Sequence, residues 1–251
     1  MFTASILFWL SSVSFVAWFL SLLVGGGSPM ILIPLVTLLL GAQAVAPVLT
    51  VGSLLGNLQR GVLLRQHVDW SLTLWQMPGV LVGSVLGAYA FTLVKAEGLQ
   101  VFIAMALLYM VVHTVLRDRI NLPTVDFKRW YFLPLSLLNA VASGLIGSTG
   151  PLLNPAYLSY GLEKESMVAT RAVSLSLTHG VKIVTYAALG VLSPKLIGYG
   201  LVIGCAALPA NWLGRIVLEK MSAEQFHKAV IGFVGLSGVW MLWQQRALFV
   251  H

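Results

Sequence analysis

Seven polar residues between Arg171 and Tyr186 carry the chemistry open to this chain. Arg171, Ser174, Thr178, His179, Lys182, Thr185 and Tyr186 fall within one arc of about 140° when advanced at about 100° per residue, while the rest of the segment is mostly apolar. Ionisable groups within an apolar helix are costly, and they ordinarily face a bundle interior or a wet cavity. A guanidinium, an imidazole and an ammonium on one face make that cavity attractive to anions. His179 sits near the helix middle, and an imidazole changes charge near neutral pH, so it is a candidate for proton exchange. Bland alternatives stand beside each assignment. Arg171 would pair with Glu163 or Glu165, His179 would be structural, and Lys182 would reach an interface along its stem. Thr50, Ser53, Asn57 and Arg60 share a second helix face earlier in the chain. Arg60 reads there as a loop charge that snorkels, and Asn57, Asn154 and Asn211 read equally as ligands or as interhelical hydrogen-bond partners.

Two glycine breaks offer the other ligands. Gly25-Gly26-Gly27-Ser28-Pro29 precedes a short apolar run, and Gly147-Ser148-Thr149-Gly150-Pro151 precedes another. Glycine permits a sharp turn and proline suits the first helical position. The N–H groups at such a helix start, with the positive dipole end, form an anion site. The candidate substrate ligands are therefore Gly26, Gly27, Ser28, Asn57, Ser148, Thr149, Gly150, Asn154, Arg171, Thr178, His179 and Lys182. The competing explanation is that the glycines only permit close helix packing.

These residues must be held by membrane helices. Of 251 residues, 58% are hydrophobic and 9% are charged, against about 25% charged in a soluble domain, so most of the outside faces lipid. Runs long enough for about 30 Å of hydrocarbon lie near 3–24, 43–64, 70–94, 98–116, 130–148, 166–191, 196–218 and 225–245. Two shorter stretches, 29–41 and 151–161, each follow a break and contain proline. Interrupted segments at matching places in two halves point to a transporter site. The fold expected is all-α and polytopic, with two homologous halves related as inverted repeats, each holding about four crossings and one Gly-broken half-helix. The halves are 1–120 and 130–251, joined by a cytoplasmic linker at 121–129. Thr50, Ser53 and Asn57 then fall opposite Arg171, Ser174 and Thr178. Lys and Arg in the short gaps favour the inverted arrangement, with Arg60 and Arg65 marking one cytoplasmic loop.

Other features exclude function classes. The net charge of +7 is scattered between apolar runs rather than gathered in a nucleic-acid patch. One cysteine, Cys205, leaves no disulfide framework, and nothing resembles a metal cluster or calls for a cofactor. The carboxylates lie near segment ends, so no deep acid pair supports an enzyme. The apolar start lacks the positive charge of a signal peptide and reads as a retained first span. Gly79, Gly83 and Gly87 form a packing ridge. Trp9, Trp18, Trp70, Trp75, Trp130, Trp240 and Trp243 form an interfacial belt, and Ser222 with Gln225 forms a capping box.

The glycine break, the short helix with internal proline and terminal glycine, and their repetition resemble the TauE/SafE sulfite exporter family, also called toluene-sulfonate uptake permeases. Gly25-Gly26-Gly27, Pro34 and Gly41 carry the resemblance, with Gly147, Gly150, Pro155 and Gly161. Gly83 to Gly87 and Pro209 to Gly214 look like the family's second recurring segment. The resemblance implies a multi-pass protein of the bacterial inner membrane that moves small sulfur-containing anions such as sulfite, organosulfonates or sulfoacetate. Alternating access, with proton coupling, is the mechanism expected, and a homodimer is left open. An anion channel and a non-transporting accessory subunit are the alternatives. The second break has Ser148 and Thr149 where a fuller glycine run is common, and their hydroxyls still suit an oxyanion.

Overall fold

A computed structural model describes residues 4–94, 128–149, 152–162, 164–222 and 224–225. Among these, regular structure is helical throughout: α1 (Ala4–Leu23), α2 (Ser28–Leu40), α3 (Ala42–Leu63), α4 (Trp70–Leu93), α5 (Phe132–Ile146), α6 (Asn154–Ser159), α7 (Lys164–Ala188) and α8 (Pro194–Lys220). Single 3-10 turns at Arg65–His67 and Arg129–Tyr131 lead into α4 and α5. The spans expected at 98–116 and 225–245, most of the linker, and Gly150, Pro151 and Glu163 lie outside the described residues.

Helices α1, α4 and α8 are long and apolar enough to cross a membrane. Their outward faces carry Phe8, Leu81, Leu86, Tyr89, Leu201 and Ile216, all exposed, as a lipid-facing surface requires. Helices α3 and α7 are also long, 22 and 25 residues, but each carries a polar stripe. Lipid offers those groups no partners, so the stripes turn inward. Thr50, Ser53, Asn57 and Arg60 are buried on α3, and Arg171, Ser174, Thr178, His179 and Lys182 on α7. The chain is a polytopic α-helical membrane protein with its polar faces inside.

The two central helices pack on each other and are wrapped from opposite ends of the chain. Helix α8 packs against α1 and α3, and α4 packs against α5 and α7. Small residues set these contacts. A Cβ on Gly79, Gly83 or Gly87 would run into the backbone of α5 at Leu133, Leu137 or Val141, and one on Gly200 or Gly204 would meet Val51 or Leu55 of α3. The glycine ridge on α4 is thus a helix contact, as its spacing indicates.

Helix α2 has 13 residues, about 20 Å at 1.5 Å per residue, shorter than about 30 Å of hydrocarbon. Its N-cap is Gly27 at φ 133 and it ends on Gly41 at φ 88. Helix α6 has six residues and begins at Asn154, later than the 151–161 stretch suggests, because Pro155 occupies its first turn and presets the helical φ there. Two expectations need correction. Arg60 is not a loop charge: it is the last-turn residue of α3 and 4% exposed. Trp18 is not at an interface but buried beneath Arg60, whose guanidinium lies 4.5 Å from its ring. Ser222 and Gln225 do form reciprocal backbone-to-side-chain bonds, at 2.9 and 3.1 Å.

Candidate anion site between the two breaks

A small, partly open pocket lies where the breaks meet α3 and α7. Gly27, Ser28 and Pro29 line it from the first break and Ser148 from the second. Ser53, Asn57 and Arg60 come from α3, Arg171 and Leu175 from α7, and Trp18 and Ser21 from α1. Residues far apart in sequence converge because α3 and α7 each turn a polar face to the other. The pocket's free interior is about 10 Å³, room for about one water-sized group.

The lining is rich in donors. Two guanidinium groups face one small space, and no Asp or Glu is among its lining residues or among the buried polar residues described. Arg60 is fixed by neutral partners: Nε donates to Asn211 Oδ1 at 2.7 Å, Nη2 to the Trp18 carbonyl at 2.8 Å and Nη1 to Ser21 Oγ at 3.2 Å. Arg171 Nη1 donates to the Gly25 carbonyl at 2.5 Å. That approach needs Gly26, since a Cβ there would overlap the Arg171 guanidinium. The Trp18 indole N–H, also buried, has no acceptor among the described residues.

At the start of α2 the Gly26 N–H donates to Ser21 O at 2.6 Å and the Met30 N–H to Gly27 O at 2.9 Å. Pro29 has no N–H, which leaves those of Gly27 and Ser28 at the helix mouth. Together with the positive end of the α2 dipole they add to an anion-attracting field.

Most of the remaining candidates among the described residues lie outside the lining. Asn57 lines the cavity, although its Nδ2 donates to Ser53 O at 2.8 Å. Thr149 donates its hydroxyl to Asn139 Oδ1 at 2.6 Å, and Thr178 to Ser174 O at 2.9 Å. Lys182 is fully buried, and its Nζ reaches Ser143 O and Gly147 O at 2.7 Å and Ser143 Oγ at 3.1 Å. It is not part of the cavity lining. His179 and Asn154 are buried with no partner among the described residues for any side-chain polar atom, and neither is among the described residues that line the cavity. Glu165 pairs with Lys164 at 3.4 Å rather than with Arg171. The functional candidate that sequence reasoning passed over is Arg60. Its signal was present, since it shares the face of Ser53 and Asn57, but its place near a segment end disguised it.

Lipid-facing helices around a small cationic cavity fit a membrane transport protein. The chain belongs to the TauE/SafE sulfite exporter family, whose description, Sulfite exporter TauE/SafE, matches residues 10–241. Neither a curated protein nor a solved structure matches it.

Proposed function

We propose that this protein is a secondary transporter for small sulfur-containing oxyanions, sulfite or short organosulfonates. It would reside in a bacterial inner membrane and work by alternating access between halves 1–120 and 130–251, arranged as inverted repeats. The observation that carries the proposal is the meeting of Arg60 and Arg171 on one small cavity without a carboxylate in its lining. Two cations held in a low-dielectric space favour an anion strongly. Arg171 and Arg60 supply charge, and Ser28, Ser148 and the N–H groups of Gly27 and Ser28 supply directed hydrogen bonds. The small volume excludes bulky ligands. Exchange of contacts between the ends of the chain, α8 on α1 and α3, α4 on α5 and α7, supports two units that rock about the central pair.

The test is binding followed by flux. Detergent-purified protein is screened for thermal stabilisation by sulfite, short sulfonates, carboxylates and phosphate, since a ligand selective for the folded state raises its stability. Saturable sulfite or sulfonate flux in proteoliposomes, lost in Arg171→Gln, is the expected result. Ohmic current would indicate a channel, and neither binding nor flux would indicate an accessory subunit; either overturns the proposal.

A further inference from the structure

Lys182 is the most deeply buried cation of the polar stripe, yet it is outside the cavity that Arg60 and Arg171 share. Its three acceptors are all at the C-terminal end of α5 and the glycine that follows it. The carbonyls of a helix's last turn carry the negative dipole end, which a buried ammonium complements; Ser143 O also accepts the Gly147 N–H at 2.9 Å. The Tyr186 hydroxyl donates to the neighbouring Gly144 carbonyl from the next turn of α7. Helix α7 therefore grips the point where α5 stops.

Arg60 makes the same grip in the first half. It holds Trp18 O and Ser21 Oγ near the end of α1, just before the first break. The correspondence extends to sequence position. Lys182 lies 122 residues beyond Arg60, Ser143 lies 122 beyond Ser21, and Gly147 lies 122 beyond Gly25. That register is one residue from the one that sets Asn57 opposite Thr178 and Thr50 opposite Arg171: in it Asn57 matches His179 and Leu49 matches Arg171. The two halves thus share a clamp, a cation on the third helix gripping a serine-bearing end of the first. Only Arg60 is long enough, with a forked head, to clamp and line the cavity together.

We infer that Lys182 is a positioning residue and not a substrate ligand: it holds the Gly147 carbonyl so that Ser148 is presented to the anion. Gly147 sits at φ 90 and is packed against Ala46 and Leu49 of α3, so its conformation fixes the direction of the next residue. Among the described residues of the second break, Ser148 is the one that lines the cavity. Removing the ammonium leaves Ser143 O its bond from the Gly147 N–H at 2.9 Å, but leaves Gly147 O with only the Ser143 hydroxyl at 3.4 Å, and so frees the Ser148 backbone to turn.

This inference rests on the cavity being the substrate site, and the experiment separates the two. A short monosulfonate and a short disulfonate are compared in flux assays of the wild type, Ser148→Ala, Lys182→Gln, Lys182→Met and the double variant Lys182→Gln with Ser148→Ala. All values refer to monodisperse, folded protein. Lys182→Gln keeps neutral donors and guards against misfolding of Lys182→Met. The expected result is a KM raised about tenfold in each single variant, the effect of about 1.4 kcal/mol, equally for both anions. The double variant is then no worse than the poorer single one, because Lys182 acts through Ser148. Multiplied effects in the double variant, with lost discrimination between singly and doubly charged anions, would make Lys182 a ligand and overturn the inference. An unchanged KM in both Lys182 variants, with Ser148→Ala impaired, would leave Lys182 a stability residue and overturn it too. If Ser148→Ala and Arg171→Gln both transport normally, the cavity itself is not the site, and the inference falls with it.

Discussion

Arg60 on α3 and Asn211 on α8 are joined by a 2.7 Å hydrogen bond from Nε to Oδ1, inside the helix bundle. The amide of the same Asn211 donates to Gly56 O at 2.9 Å and to Gln59 Oε1 at 3.1 Å. Asn211 is therefore a fully engaged hydrogen-bond partner that aims the Arg60 guanidinium toward Trp18 and the cavity. Of the two roles open to it, interhelical bonding is the one its contacts satisfy.

Asn211→Leu is expected to destabilise the protein by about 1.5–3 kcal/mol, the worth of a hydrogen bond to a charged group, with a lower Tm in detergent. Asn211→Asp keeps an acceptor for Arg60 and adds a negative charge beside it. Its Tm should fall less, while KM for sulfite should rise by more than in Asn211→Leu. Ligand-binding titration of both variants checks the split, and equal KM values would argue against Arg60 acting on the anion.

Gly26→Ala tests the approach of Arg171 to the first break. A Cβ there meets the guanidinium and sits at φ +131, whereas Gly41 at φ +88 has open space around its Cβ position. Gly41→Ala should show only backbone strain, about 1–3 kcal/mol for an L residue in an essentially glycine-only region, at φ 88 and ψ 161. Gly26→Ala adds displacement of Arg171, so sulfite binding should be lost in it and retained in Gly41→Ala. Isothermal titration on both proteins decides the matter.

Gly83→Leu should separate α4 from α5, since even a Cβ would meet Leu137 O. The cost of overpacking is typically about 1–3 kcal/mol. Thermal unfolding should report that loss, while KM in the surviving folded fraction stays close to wild type, because neither helix lines the cavity.

His179 is buried with both ring nitrogens unpartnered among the described residues, one turn from Lys182. If it is the proton-exchanging group, His179→Gln should abolish sulfite flux driven by an imposed pH gradient while anion-for-anion exchange continues. Gradient-driven flux that survives the substitution would remove His179 from the coupling scheme.

Much of the architecture was legible because membrane helices are written in composition. The limits of α1, α3, α4, α7 and α8 differ from the apolar runs by only a few residues. Apolar length is a local property, and so is the glycine-proline break that opens α2. The polar faces of α3 and α7 were legible for the same reason, since helical periodicity fixes which side chains share an arc. The start of α6 was harder: two prolines, Pro151 and Pro155, compete for the first turn, and spacing does not choose between them.

The sequence by itself determined that this is a membrane protein with two Gly-Pro breaks and an inward, cationic polar stripe. Periodicity, composition and the chemistry of lipid suffice for that. Only the tertiary structure decided which cations meet the cavity. An arc on a helix says that Arg171 and Lys182 point the same way, but not what covers each turn. Helix α5 ends beside Lys182 and engages its ammonium with carbonyls, while α1 ends beside Arg60 and leaves the guanidinium lining the cavity with Arg171. Those neighbours come from distant parts of the chain, and packing alone brings them together.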